Sequence, residues 1–318
     1  MHYIDLHCDT IMQCYFDNKS LRENDLNIDL TRSKEAGLMA QCMAIFIPTN
    51  DSAAHYKVTQ TPGDYFESCL AKYKRELSLN ADLIAPALLP QDIERNFAEG
   101  KMSSILTVED GVIIDGKLAR LDELYGLGVR LITLTWNYEN CIGFPQSPDP
   151  GLMALGLKPF GIEAIRRMNE LGIIVDVSHL SEGGFHDVAK HVTKPFIASH
   201  SCCRTFCGAT RNLTDSQLSI LGDRGGVCGI NFAPYFLVKD SMHTTIESIV
   251  SHMRHIRTKA GLEAVAFGSD FDGFSGEAEF GGCEGMPKII EALSNFFSPR
   301  ELEMICYKNA LRVFKDNF

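Results

Sequence analysis

Eight short apolar or β-branched runs, each followed by sequence of helical periodicity, with polar residues gathered at the ends of five of them, predict an α/β protein folded as a closed (β/α)8, or TIM, barrel. One domain spanning residues 1–318 holds all of it, since barrels of this kind routinely outgrow the usual single core. The runs are "YIDLH" (3–7), "MAQCMAIFI" (39–47), "SSILTVE" (103–109), "VRLITLT" (129–135), "IIVDVSH" (173–179), "PFIASH" (195–200), "GVCGINF" (226–232) and "AVAFGSD" (264–270). Amphipathic stretches such as "GDYFESCLAKYKREL", "KPFGIEAIRRMNELG", "TDSQLSILGDRG" and "TTIESIVSHMRHIRTKAG" separate them. The last two begin at Thr or Asp cap candidates and end near Gly. A final helix, "SPRELEMICYKNALRVF", is expected to pack the last strand and close the ring. An open doubly wound sheet is the alternative, but no G-x-G-x-x-G follows the first run. The Gly- and Pro-rich stretch 140–156 follows the fourth run, where a barrel carries its catalytic loops, and is expected to act as a lid or substrate wall.

Composition narrows the function classes. Hydrophobic residues make up 45% and charged residues 22%, which supports a large buried core and argues against disorder. A formal net charge of -11, with Lys and Arg scattered, disfavours nucleic acid and anionic membrane surfaces as partners. The first run starts within two residues of Met1, "NALRVFKDNF" is no hydrophobic anchor, and no stretch of about 18 apolar residues occurs, so a cytoplasmic location is expected. Eleven cysteines without framework spacing fit reduced buried thiols. "HSCCRTFC" lacks the paired C-x-x-C units of a structural zinc site.

The chemistry sits at the strand ends. In "IDLHCDT" an extended backbone puts Asp5, His7 and Asp9 on one face, successive members roughly 7 Å apart, which is a metal-ligand spacing. The third run ends in Glu109, the fifth in His179, the sixth in His200 and the eighth in Asp270, with Asp272 beyond it. Parity suggests that Val175 and Val177, and Phe196 and Ala198, fill the barrel on the faces of His179 and His200. Strand ends of a barrel converge on one mouth, so these groups exceed what a single zinc takes and suit two metals sharing a carboxylate. Glu109 is the natural bridge, with His7 and Asp9 on one metal and His179 and His200 on the other. Such a pair would lower the pKa of a shared water toward neutrality and supply a nucleophile without Ser or Cys. Asp270 would carry a proton to the leaving nitrogen. Asp272 reads as a capping acid as readily as a catalytic one. The remaining histidines, His2, His55, His186, His191, His243, His252 and His255, read as surface or capping residues. Tyr235 and Phe236 are candidates for a pocket wall.

The motifs "DLHCDT", "VEDG", "LITLTWN", "VDVSH", "ASHS", "TRNLTD", "GGVCGINF" and "GSDFDG" run in this order through the chain, and together the sequence resembles the renal, or membrane, dipeptidase family of binuclear zinc metallopeptidases. The resemblance implies a barrel fold, two zinc ions, and dipeptides as substrates, L-Xaa-D-Xaa among them. It assigns His7, Asp9 and Glu109 to one zinc, Glu109, His179 and His200 to the other, and Asp270 to acid/base work. It also implies that Arg211 in "TRNLTD" receives the substrate carboxylate, which suits a rigid guanidinium fork. Animal members place a substrate-contacting histidine where this chain has Trp136, so Trp136 and Asn137, or else Asn140, become the candidate substrate contacts there. A homodimer is the family's habit. The rival readings are another binuclear amidohydrolase-type enzyme, such as a deacetylase, lactonase or deaminase, and a barrel that binds ligand without turnover. Most such amidohydrolases begin with His-x-His, and many bridge their metals with a modified lysine, whereas this chain has His-x-Asp and Glu109.

Overall fold

The computed structural model describes residues 1–318. Eight parallel strands close a ring: Tyr3–Cys8, Leu38–Phe46, Met102–Glu109, Val129–Thr133, Ile174–Asp176, Ile197–Ser201, Val227–Ile230 and Val265–Phe267, numbered first to eighth below. Each overlaps one of the eight sequence runs, and the eighth pairs back onto the first through Phe267 and Asp5. Three minor strands escape the sequence reading. Ile84–Pro86 pairs with the start of the third strand, and His243–Thr244 pairs with Glu277–Ala278. No helix is long and apolar enough to cross a membrane. All eleven cysteines are unpaired and ten are buried.

The helices begin where side chains can take up their free N–H groups. Thr214 Oγ accepts from Gln217 N ahead of helix Asp215–Asp223, and Thr245 does the same from Ser248 N ahead of Ile246–Ala260. Their apolar stripes, with Leu218, Leu221, Ile249 and Met253, join the outward faces of the strands in one large core. A smaller core lies inside the ring and takes residues such as Leu6, Ile105, Leu131, Ile174 and Ile197. Parity misassigned the faces of the fifth and sixth strands: Val175, Val177, Phe196 and Ala198 belong to the outer core. The final helix packs the last strand, as expected, and in doing so crosses the floor of the ring. Leu311 and Phe314 plug the inner core, while Asn309, Arg312 and Asn317 bond to the Val265, Gly225 and Pro195 carbonyls at the strand starts.

Two seams of the ring are thinly laddered. The first and eighth strands share the single register pair Asp5–Phe267, and the fifth and sixth share only Asp176–Ile197. At each seam a few backbone bonds continue beyond that pair, and a buried carboxylate adds to them. Asp5 accepts from Ser269 N at 2.8 Å and Ser269 Oγ at 2.6 Å. Asp176 accepts from Ser178 N at 3.0 Å, Ser199 N at 2.8 Å, Ser199 Oγ at 2.6 Å and Thr133 Oγ1 at 2.6 Å. This also explains why the fifth strand ends at Asp176 although the sequence predicts 173–179. N–H groups that would extend the ladder donate to a side chain instead.

Asp176→Ala is expected to cost about 3 kcal/mol or more, because it strips four buried donors of a charged acceptor. Urea unfolding monitored by circular dichroism measures it, and a loss below about 1 kcal/mol would reduce Asp176 to an ordinary polar contact.

Candidate metal centre

The six polar groups of the mouth arrive from the carboxyl ends of five strands or the turns after them, His7 and Asp9 sharing the first. Several of those turns use backbone that residues other than glycine seldom adopt. Asp110, His179, Asp270 and Asp272 have φ of 80°, 68°, 62° and 68°. The left-handed turn at His179, beyond the strand end, swings its ring over the mouth, and this takes the place of the strand parity that the sequence suggested.

Glu109 stands at the centre with its two oxygens divided. Its Oε1 lies 3.0 Å from His179 Nε2 and 3.4 Å from His200 Nε2, while Oε2 lies 3.6 Å from His7 Nε2. His7 Nε2 is in turn 3.4 Å from Asp9 Oδ2 and 3.8 Å from Asp270 Oδ1. All six groups are buried. The opposite edges of two rings are held from behind. His200 Nδ1 lies 2.7 Å from Ser199 Oγ, whose own proton goes to Asp176, and His179 Nδ1 lies 3.1 Å from Asn137 Oδ1. Both Nδ1 atoms therefore donate. The two Nε2 atoms, 3.1 Å apart, then present lone pairs to each other and to Glu109 Oε1.

Three converging acceptors with no proton between them repel unless a cation joins them. A second mismatch lies on the other side, where both ring nitrogens of His7 and Asp9 Oδ1 are buried without a hydrogen-bond partner. The donor set of imidazole nitrogen and carboxylate oxygen is that of zinc and related divalent metals, so the residues suit the binding of a divalent cation. Groups of three that could each hold an ion are His7, Glu109 and His200, and His7, Asp9 and Asp270.

The metal-free electrostatics record the same crowding. Burial works to raise the Glu109 pKa, but the His7 charge holds it well below the usual range. Burial works against a charged His7, but Glu109 and Asp9 hold its pKa well above normal. Burial pushes Asp9 to about 6. Asp270 rises to about 7, through burial and then the nearby charges of Asp9 and Glu109, against the pull of His7. His179 falls to about 4 through burial and the charge on Arg211.

The other sequence candidates divide between the mouth and the frame. Trp136, Asn137, Tyr235 and Phe236 line a cavity of about 110 Å³ together with Asp9, Glu109, His179 and Asp270. Arg211 is buried beside it, bonded through Nη1 to Ser201 Oγ and through Nη2 to the His200 carbonyl, with Nε unpartnered. Asn140 is committed elsewhere, to Asp110 Oδ1 and the Leu134 carbonyl. Asp272 caps the frame, accepting from Thr10 Oγ1, Asn27 N and Asn27 Nδ2. Stretch 140–156 contributes no lining residue. Its contacts run to the His179 carbonyl through Gln146 N, and to Leu180 through Pro145, so it braces the turn and does not wall the cavity. His252 is a correction. It is buried, with Nδ1 on Cys203 N and Nε2 on the Leu237 carbonyl, and burial pushes its pKa down to about 4.

Sequence reasoning missed Ser199, Asn231, Gly273, Phe46, Tyr56 and Met12. Asn231 Nδ2 holds Asp270 Oδ2 at 2.8 Å, and Phe46, Tyr56 and Met12 line the cavity. A Cβ on Gly273 would come within 2.2 Å of Asp9 Oδ2 and 2.6 Å of Asp270 Oδ1. Its place in "GSDFDG" was the available signal.

A closed barrel with buried imidazoles and carboxylates packed into its mouth defines a metal-dependent hydrolase of the amidohydrolase-like barrel type. The sequence profile of the membrane dipeptidase family, peptidase family M19, matches residues 1–317, and the chain belongs to that family. It is 33% identical over 306 residues to an uncharacterized dipeptidase of Schizosaccharomyces pombe, covering 92% of this chain and 73% of that one. It is also 36% identical over 265 residues to a Klebsiella pneumoniae protein encoded in the pqqA 5' region, covering 80% of this chain and 97% of that one. Among solved structures it is similar to a Rhodobacter sphaeroides metallopeptidase liganded with a phosphinate mimic of L-Ala-D-Ala, at 26% identity and a TM-score of 0.89, covering 100% of this chain and 99% of that one. The protein is thus a metallodipeptidase of the family.

Gly273→Ala is expected to displace both carboxylates and lower dipeptide hydrolysis by about 100-fold while the far-ultraviolet spectrum stays native, since misplacement near 1 Å costs that much. Undiminished turnover would show that the carboxylates adapt.

Proposed function

We propose that this chain is a dizinc dipeptidase acting on free dipeptides, including those with a D-residue at the C-terminal position. The observation that carries the reading is the division of Glu109 between two sets of ligand atoms, with His179 and His200 on Oε1 and His7, beside Asp9, on Oε2. The Rhodobacter sphaeroides relative, liganded with a mimic of L-Ala-D-Ala, supports the stereochemical part. A cavity of about 110 Å³ supports a substrate no longer than a dipeptide. Bound here, two zinc ions would acidify a water and polarise the scissile carbonyl.

The chain's own groups do the rest. Asp270, with Oδ2 held by Asn231 Nδ2 at 2.8 Å and Oδ1 turned toward His7, is placed to take a proton and to pass it to the departing amine. Asn137 and Ser199 keep the His179 and His200 rings turned with Nε2 toward Glu109. Arg211 offers its unpartnered Nε and remaining N–H groups to the substrate's terminal carboxylate. Its contacts to His200 and Ser201 tie that anchor to the ligand-bearing sixth strand. The aromatic rings around the cavity exclude water from the reacting bond.

Asp270→Asn is expected to keep its zinc, read by elemental analysis, while kcat falls about 10²- to 10⁴-fold; zinc lost along with activity would make Asp270 a ligand instead. The whole reading is tested with zinc-loaded protein and dipeptides of both stereochemical series, as free acids and as amides. Free acids should be hydrolysed and amides poorly, and Arg211→Ala should erase that preference at a cost of about 1.5–3 kcal/mol in kcat/KM. Equal cleavage of acids and amides would remove Arg211 from substrate binding, and inertness toward every dipeptide would end the proposal.

A further inference from the structure

The cavity has two sides, and both carry rings: Tyr235 and Phe236, which follow the seventh strand, stand on the side of Asp270 and Arg211, whose guanidinium lies 5.8 Å from the Phe236 ring. Ring order sets them: the second strand faces the sixth across the barrel, and the fourth faces the eighth. Asp270 follows the eighth strand, and Arg211 is fastened to the sixth. Opposite them stand Phe46 from the second strand, Tyr56 from the segment after it, and Trp136 from the end of the fourth, with Met12 beside them. The Phe46 ring centroid is 4.7 Å from that of Trp136 and 6.1 Å from that of Tyr56, so the three rings form one continuous wall. Tyr56 is braced from behind by Phe16, stacked on it at 5.5 Å. No Lys or Arg lines the cavity.

A dipeptide can lie across this mouth in one direction only. Its leaving nitrogen belongs to the C-terminal residue and must approach Asp270, and its carboxylate must reach Arg211, so that residue occupies the side of the sixth to eighth strands. The N-terminal side chain is left against the opposite wall. Resting on the dipeptidase reading above, we infer that Phe46, Tyr56 and Trp136 form the pocket for the N-terminal side chain, and that the enzyme selects apolar residues there. An aliphatic or aromatic side chain gains ring contact and loses water. An acidic one loses its water and meets no cation on the wall. Trp136 occupies this wall with a large face and a single donor, so it contributes surface and no charge.

Glycine at the C-terminal position removes stereochemistry from the test. Zinc-loaded protein is assayed with Leu-Gly, Ala-Gly and Asp-Gly. Leu-Gly is expected to exceed Asp-Gly in kcat/KM by about tenfold or more. Trp136→Ala and Tyr56→Ala should each lower the Leu-Gly to Ala-Gly ratio about fivefold or more, chiefly through KM and with zinc content unchanged, and Trp136→Phe should restore most of it. Equal rates on Leu-Gly and Asp-Gly, or ratios that neither alanine variant moves, overturn the pocket assignment while Ala-Gly turnover leaves the dipeptidase reading standing. Failure to cleave any of the three peptides overturns both.

Discussion

Two buried carboxylates hold this barrel at the places where its backbone does least. Asp5 and Asp176 lie four strands apart, on opposite sides of the ring, and each grips a serine, Ser269 just beyond the eighth strand or Ser199 in the sixth, where the ladder has a single register pair. Apart from Glu109, which ends the third strand, the ligand candidates hang from those same seams. His7, Asp9 and Asp270 rise from the junction of the first and eighth strands, and His179 and His200 rise from that of the fifth and sixth. Parallel strands that separate early leave room for several side chains to turn inward, but only if something else keeps them together. A carboxylate that accepts several short hydrogen bonds does so without filling the mouth, as a bulky apolar contact would.

The electrostatics of the mouth follow from that arrangement. Three carboxylates and three imidazoles are buried within a few ångströms of one another, and in the absence of metal they share too few protons to satisfy their lone pairs. Ser199 and Asn137 sharpen the conflict, because by claiming the Nδ1 protons they leave both Nε2 atoms as acceptors facing Glu109. The candidate ligands are thus oriented by the hydrogen bonding behind them. The Ser199 contact leads on to Asp176, so one buried acid both closes a seam and orients a ring of the metal centre.

Much of this was legible in one dimension. Eight apolar runs located eight strands, and the polar ends of five of them located His7, Asp9, Glu109, His179, His200 and Asp270, which the fold brings to one mouth. Legibility failed where a side chain replaced the backbone as the local partner. Strand parity placed Val175 and Val177 inside the barrel, yet they face the helices, because His179 reaches the mouth by a left-handed turn. His252 looked like any polar residue of an amphipathic helix, but Cys203 N and the Leu237 carbonyl come to it from remote loops. Asn140 and Asn137 stand three residues apart in one loop, and nothing local distinguishes the one locked onto Asp110 from the one holding His179.

By itself, then, the sequence determined the period of the fold and the chemical inventory of the mouth, because strand length, helical periodicity and the residue type at a strand end are local properties. Only the tertiary structure decided which oxygen of Glu109 faces which imidazole, which way the His179 and His200 rings present their protons, and that Phe46, Tyr56 and Trp136 form one wall. Those outcomes depend on ring closure and on the turns at the mouth, which set residues of different strands and loops within a few ångströms, and contacts of that kind leave no trace in the order of the residues.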